Sequence, residues 1–369
     1  MKKYQLTGIE MDHRGRTLSR IEALKSFTTV CGHKVNAGDL GGWIEKESNL
    51  SQDGRAWVSD EAKVFDDAIV DDDAMVYGNA MVYGNARVFY YARVYDNAKV
   101  GDKAWVYGNA KVYDYARVSD NAWVEGNAEV CGHAMVYGNA WVDGNAKVYD
   151  NAWVCDKAWV YGSAVVCGDT EVYGNTEVCG TSWVFGNVKL YGNTTKLCGD
   201  AEVFSSSHIF NVTSIGENDS PCTFFRTETE SIGVAFEDRY HSLEDFLTLI
   251  SGWDSKYKEP AEAVVRDVEN QAKWILNKTQ EATMENKRIE VETAFGKFSA
   301  EASGDPIYPG ISICVDDVDE NGDRFERQLA ALEATPSISV KGGYSLRLLV
   351  WNNDDESYTN EFVLKDLLG

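Results

Sequence analysis

The stretch AMVYGNAMVYGNARV, Ala74 to Val88, writes nearly the same six residues twice, and the hexad does not stop there. From Ala56 to Asn193 it runs without a gap. The third place is Val throughout, except for Leu190. The first place is Ala up to Ala164, then Thr170, Thr176, Ser182 and Val188. One extra residue near Thr194 shifts the frame, and two more hexads follow, headed by Thr195 and Ala201. A six-residue period fits no α-helix, which repeats every 3.6 residues. Within each hexad the alternation is that of a strand, with Ala and Val on one side and the residues after them on the other. Gly or Asp and then Asn follow, residues that tolerate positive φ and turn the chain. A short strand and a corner, repeated, predict a β-helix.

Three hexads per coil make a three-sided prism with an 18-residue turn, and the tryptophans test that number. Trp105, Trp123, Trp141 and Trp159 are each 18 apart. Tyr77, Tyr95, Tyr113 and Tyr149 keep the same register, with Cys131 in the one gap. A three-sided coil turns each series into a vertical ladder. The hexads amount to about eight coils, and at about 4.8 Å per stacked strand the prism is about 40 Å long. Its interior is a column of Val and Ala with no room for a ligand, so any function belongs on the outside or at the ends.

The period resembles that of left-handed parallel β-helix proteins built from hexapeptide repeats. The segment DLGGWIEKESNLSQDGRAWV, Asp39 to Val58, looks like the lead-in of YdcK-type hexapeptide proteins and of similar proteins encoded by phages and prophages. The likeness extends over about residues 4–206. The segment CTFFRTETESIGVAFEDRYHSLEDF, within 207–276, looks like the tail that often follows such repeats in phage proteins. The resemblance implies a mostly β chain and a left-handed parallel β-helix. It supplies no reaction to carry over to named residues.

The rest of the chain divides around the prism. Residues 1–55 are expected to cap the first coil, because a β-helix leaves unpaired strand groups at both ends. LTGIEM and LSRIEAL read as a hairpin, with Gly38, Gly41 and Gly42 at the turn into the coils. The repeats fill 56–206, and an α+β tail domain follows at 207–280. Its short strands are SSSHIFNVTSI, TFFRTE and SIGVAFE. Ser242 and Asp245 then fit a capping box. Pro260 reads as the opening of a second helix, to about Leu276. After a linker near 277–286, IEVETAF, KFSAEA, ISICVD, YSLRLLVW and NEFVL predict a small β domain over 287–369.

Composition limits the partners. The formal charge is −24, from 59 acidic and 35 basic residues, and most of the excess lies behind the repeats. A nucleic-acid backbone meets general repulsion from such a chain, so direct nucleic-acid binding is disfavoured. Eight cysteines occur with no CxxC pair, the first residues lack an apolar export core, and no run is long enough for a membrane span. A reducing cytoplasm of a bacterial host cell is the expected setting.

Four candidate sites follow. Acyl transfer is the alternative function, since many left-handed β-helix proteins resemble acyltransferases with a projecting loop and a histidine base. Here no such loop interrupts the coils, and His133, the only histidine in them, stands at a corner usually held by Asn. A structural role is expected for it. VDDVDENGD offers Asp317, Asp319, Asn321 and Gly322 at calcium-loop spacing, but Gln328 stands where a bidentate Glu belongs. Asn321-Gly322 reads instead as a hairpin turn. Cys155, Cys167 and Cys179 lie 12 apart, hence on different faces, while Cys179 and Cys198 are placed to stack on adjacent coils. No metal, cofactor or catalytic residue is expected.

The third candidate is the ladder of Trp105, Trp123, Trp141 and Trp159, joined on its face by Phe89, Tyr107 and Tyr161. Stacked indoles expose more apolar area than a monomer usually tolerates. A second copy packing face to face, as a homodimer, is the first expectation for what covers them. The chain's own tail comes next, then a foreign protein or a sugar. Nucleobase stacking is disfavoured because Glu125, Asp143 and Glu177 share the face. The fourth is an acidic surface beginning at Asp71, Asp72 and Asp73, partly balanced by Lys99, Lys111 and Lys147. It reads first as a solvated face that keeps a rigid rod soluble. Mimicry of a nucleic-acid backbone is the sharper alternative. Together these point to a non-enzymatic interaction protein of phage or prophage character. It would dock its acidic, aromatic-laddered surface onto a host or viral protein, with host defence or nucleic-acid machinery as candidate targets.

Overall fold

The computed structural model describes residues 2–192 and 194–272 with their side chains, and the backbone of six strands between 289 and 364. The hexads form a parallel β-solenoid of about nine turns. Three sheets run its length, and neighbouring strands in each are one coil apart in sequence, as in Trp105↔Trp123 and Val106↔Val124. Each strand proper is two residues long, yet the pairing does not lapse at the corners. The N–H groups of Trp105, Tyr107 and Asn109 donate to Ala122, Val124 and Gly126 at 2.9, 3.0 and 2.7 Å. Every coil is thus a hydrogen-bonded template for the next.

The alternation read from sequence holds inside. From Ala56 to Val166 the first-place Ala and third-place Val residues are fully buried. Where Ala gives way to Thr176 and Ser182, the new hydroxyls donate back to the Tyr173 and Cys179 carbonyls at 2.8 and 2.6 Å. Those bonds let a polar group sit in an aliphatic column.

The corners explain much of the aspartate. From Asp60 to Gly199 the fifth place of each hexad is left-handed, as at Gly108 (φ 69°), where an added Cβ would come within 2.9 Å of the Gly126 carbonyl oxygen. Asp takes this conformation at corner after corner between Asp60 and Asp156. Its carboxylate then accepts the N–H of the equivalent corner one coil on. Asp60 accepts from Gly78 (2.9 Å), Asp114 from Gly132 (3.1 Å), Asp120 from Gly138 (3.0 Å) and Asp150 from Gly168 (3.0 Å). The corner asparagines stack as well. Asn109 donates to Asn127 at 3.1 Å, and Asn127 to Asn145 at 3.0 Å.

The solenoid starts before Ala56. Leu40–Ile44 already pairs in parallel with Lys63–Val64, and Leu50 bridges Val70. In this first coil Ile44 and Leu50 hold the third places, opposite Val64 and Val70, but a 3₁₀ turn, Glu47–Asn49, replaces the usual corner. Asn49 is buried there and donates to the Asp66 and Ala68 carbonyls at 3.0 and 2.8 Å. Strands Tyr4–His13 and Arg16–Ala23 form the expected hairpin, which continues one sheet in antiparallel sense. Lys3 is buried beneath it and donates to the Asp53 and Ala56 carbonyls at 3.0 and 2.9 Å; burial lowers its pKa to about 8. At the other end the extra residue is absorbed between Tyr191 and Thr195, so that Glu177 pairs with Lys196, one place beyond the regular spacing.

Strands Ile209–Ile215, Ser220–Arg226, Ile232–Phe236 and Arg239–Ser242 make an antiparallel meander. One face of it, through Phe225 and Ala235, joins the solenoid core. The other packs Phe224, Val234 and Phe236 against helix α1 (Leu243–Ser251) and helix α2 (Ser255–Gln271). Residues 1–275 are one compact unit. Ser242 caps α1 by accepting the Asp245 N–H at 3.1 Å. Helix α2 begins at Ser255, not at Pro260, because Asp254 caps it by accepting from Lys256 at 3.1 Å. Pro260 therefore lies inside the helix and forfeits one backbone bond.

The second unit, from Leu276, holds a six-stranded antiparallel meander. It includes a strand not foreseen, Arg324–Pro336. Strand Gly310–Val318 pairs with it through Val318↔Arg324. The connecting residues, with Asp319, Asn321 and Gly322, lie outside the described residues, as does the linker near 277–286.

The corner carboxylates yield a test. Asp114→Asn keeps an acceptor and a tolerant left-handed backbone, and should change stability by less than about 0.5 kcal/mol. Asp114→Ala loses the acceptor for the Gly132 N–H and strains φ, and should cost about 1–2 kcal/mol in denaturant unfolding.

Candidate functional site: an aromatic face on the solenoid

One of the three sheets carries Arg87, Trp105, Trp123, Trp141, Trp159, Glu177 and Lys196 at successive rungs. The rungs sit one above another, so identical side chains are forced into contact. The indoles of Trp105 and Trp123 are stacked at 5.0 Å and within 2° of parallel. Trp123–Trp141 and Trp141–Trp159 continue at 5.3 and 5.5 Å, with the rings turned by 52° and 62°. All four are half-buried. A second column lies beside them. Phe89 stacks on Tyr107 at 5.0 Å, and both meet Trp105 edge-on, at 5.5 and 6.5 Å. Tyr161 packs on Trp159 at 4.3 Å. All seven residues of the expected ladder are thus brought onto one surface.

Its edges are polar. Arg87 lies over the Trp105 ring at 5.2 Å. At the far end Lys196 pairs with Glu177 and Asp238, both at 3.0 Å. In the second column Glu125 and Asp143 stand between Tyr107 and Tyr161. Burial, with the neighbouring Asp143 charge, pushes the Glu125 carboxyl above its usual range. Asp143 accepts the Gly144 N–H. The Trp159 Nε1–H is buried and meets no acceptor among the described residues.

Two residues of this surface escaped the sequence reading. Phe89 runs into Tyr90 and Tyr91, which replace both the Gly/Asp and the Asn of a corner. Tyr90 holds the left-handed conformation (φ 58°) and is 51% exposed; Tyr91 is 48% exposed. The Tyr90 ring packs on Phe89 at 5.2 Å, a contact made at the cost of a left-handed backbone that favours Gly. The broken corner motif was the available signal.

The acidic triplet is more committed than its sequence suggests. Asp72 accepts the Tyr90 N–H at 3.1 Å, and Asp71 accepts that of Asp72 at 2.7 Å. Asp73 forms an ion pair with Arg55 at 2.5 Å, and this bond holds its carboxyl below the usual range. That stabilisation is present above the unfolded carboxylate value of about 3.9 and is lost as pH falls through the lower folded value. His133 stacks on Tyr115 at 5.0 Å, and no side chain among the described residues hydrogen-bonds its imidazole.

Cys155, Cys167 and Cys179 lie after strands of three different sheets, while Cys179 and Cys198 are neighbours on adjacent coils. A hydrogen bond with Cys198 brings Cys179 down to about 7, aided by Tyr161 and Lys196. The same bond, with burial, raises Cys198.

The described residues form several surface depressions. One of about 450 Å³ lies between the last coils and the four-stranded sheet, around Thr195, Lys196, Pro221 and Asp238. One of about 460 Å³ runs along a side of the solenoid from Tyr113 to Trp183. A third, of about 260 Å³, lies by the N-terminal hairpin and includes His33. The buried Ala and Val column stays closed to all of them. Among the described residues no group of three or more His, Cys, Asp or Glu side chains converges on a metal position, and no helix is long and apolar enough to cross a membrane.

Parallel coils of three hexads each, aliphatic inside and stacked outside, define a β-solenoid repeat protein. The family described as YdcK Beta solenoid repeat matches residues 74–90. Those residues are similar to that repeat, and the coils that surround them make this chain a β-solenoid repeat protein. No curated protein matches it.

Tyr90 separates fold from surface. Tyr90→Gly should raise stability by about 0.5–1 kcal/mol by relieving the left-handed strain, whereas Tyr90→Ala keeps the strain and should give no gain. Urea unfolding of the two variants measures the difference.

Proposed function

We propose that this protein acts by docking and not by catalysis. Two copies pair through the face of Trp105, Trp123, Trp141, Trp159, Phe89, Tyr107 and Tyr161. The stiff acidic rod so formed engages a protein partner. The observation that carries the reading is the continuous, half-buried stack of rings with exposed Tyr90 and Tyr91 at its rim. Rigid aromatics lose little conformational freedom on association and are favoured at interface centres. Arg87 at one end and Lys196 at the other supply a polar rim. On the likeness to phage and prophage repeat proteins, the partner is a host or viral protein, and interference with host defence or nucleic-acid machinery is the use we assign to the complex. The bacterial cytoplasm is the setting this implies.

An acyltransferase would need a cleft holding a histidine base within reach of a bound acyl group. His133, stacked on Tyr115 at an exposed corner, offers no such cleft.

Sedimentation tests the pairing. The wild type should run at twice the 41.0 kDa chain mass. Trp123→Ser combined with Trp141→Ser should run as a folded monomer. An unchanged mass would remove the face as the interface, and thermal stabilisation by an acyl-CoA would favour the enzyme instead.

Acidity gives a second test. Glu125 takes up a proton at higher pH than an exposed Glu, whose value is about 4.3, so its repulsion of Asp143 fades as pH falls toward that range. Self-association should therefore strengthen as pH falls from neutral toward the ordinary carboxylate range. Glu125→Gln should associate more tightly at neutral pH and lose most of this dependence.

A further inference from the structure

A different sheet of the solenoid carries its own ladder, and that ladder has a missing rung. Tyr77 stacks on Tyr95 at 4.8 Å and 1°, and Tyr95 on Tyr113 at 4.9 Å and 3°. The next position, one coil on, is Cys131, and the one after it is Tyr149. Tyr113 and Tyr149 are therefore two coils apart, about 9.6 Å at the spacing of stacked strands. That is twice the ring separation found in the intact part of the ladder. Cys131 is half-buried there, with its thiol beside the Tyr113 hydroxyl. The depression of about 460 Å³ opens here, with Tyr113, Cys131 and Tyr149 along one side and Glu129, Lys147 and Val165 along the other.

The charges around the slot are asymmetric. Glu129 is already engaged by Lys111 at 2.6 Å. Lys147, at the next rung, is exposed and has no carboxylate partner among the described residues. Val165 follows it, short between Lys147 and Trp183, and lengthens the depression beyond a single ring. Within the slot, burial keeps the Cys131 thiol and the Tyr113 hydroxyl protonated well above neutral pH. The opening thus lies between two tyrosines two rungs apart, with the Glu129–Lys111 ion pair and the free Lys147 ammonium at its edge.

We infer that the vacant rung at Cys131 is a binding site for a small planar aromatic anion, whose ring enters between Tyr113 and Tyr149 and whose carboxylate or sulfonate meets Lys147. A ring there restores the stacking of the ladder on both sides. Offset-stacked and parallel rings at this spacing attract. The volume falls within the range of ligand sites. The occupant is a free small molecule, and neither the Trp face nor pairing of two copies is required.

The probe is 2-naphthoate, with 2-naphthylmethanol as its neutral counterpart, titrated by calorimetry into the full-length protein. The wild type should bind one naphthoate per chain. Cys131→Tyr should complete the ladder, abolish binding and raise the unfolding temperature. Cys131→Ala should retain binding. Lys147→Met should weaken naphthoate by about tenfold and leave the neutral compound unchanged. Should Cys131→Tyr fold poorly, the wild type still decides the matter: bound naphthoate must slow alkylation of Cys131, and not of the exposed Cys31. Undiminished binding by a folded Cys131→Tyr, or no protection of Cys131, would overturn the site. So would loss of binding in the Trp123→Ser, Trp141→Ser double variant, which would move the ligand to the other face.

Discussion

The structure depends on one constraint: each coil hydrogen-bonds to the next in strict register, hexad over hexad. Backbone N–H groups of the second, fourth and sixth places of a hexad all donate to the following coil, corners included. The small first-place residue and the branched third-place residue are the pair that lets the three sheets close around a dry centre. Once the coils are in register, what lies outside follows. A side chain at one rung has its counterpart about 4.8 Å above and below. Like residues then stack, whether indoles, phenols or amides, and opposite charges such as Lys111 and Glu129 pair. The aromatic face is thus a consequence of the register as much as of composition.

The same geometry gives the aspartates a second reading. In an acidic chain they look like a surface field. In the solenoid many are corner residues that take a left-handed φ and accept an amide from the next coil. Their charge is incidental to a hydrogen bond that Asn could also make, which weakens any account built on the coil carboxylates alone. The net acidic excess lies more in residues 207–369, where the bases are fewest relative to acids.

The periodic part of the fold was open to reading from the residues, because a repeat states its own contacts: the even spacing of Trp105, Trp123, Trp141 and Trp159 became ring stacking without further information. What escaped was aperiodic. Leu40–Ile44 lies before the regular run, and its coil is tied in by the Leu50–Val70 bridge and by a buried Asn49 that donates to the Ala68 carbonyl. The start of α2 was hidden by Pro260, although Asp254 was the stronger capping signal. Arg324–Pro336, rich in Ala, Leu, Glu and Arg, has helical propensity and became a strand because partners on both sides offered ladders. Tyr90 was visible as a break in the corner motif, but its strain was not, since φ depends on the coil around it.

The two ends of the solenoid are closed by different devices, a hairpin seated on buried Lys3 and a four-stranded sheet seated on Phe225. Neither touches the coils midway between them. Adding or removing one whole coil there would leave both closures intact and move them relative to each other by one strand spacing. The middle of the chain is in that sense a ruler graduated in steps of about 4.8 Å, on which length can drift over generations while the ends keep their shape.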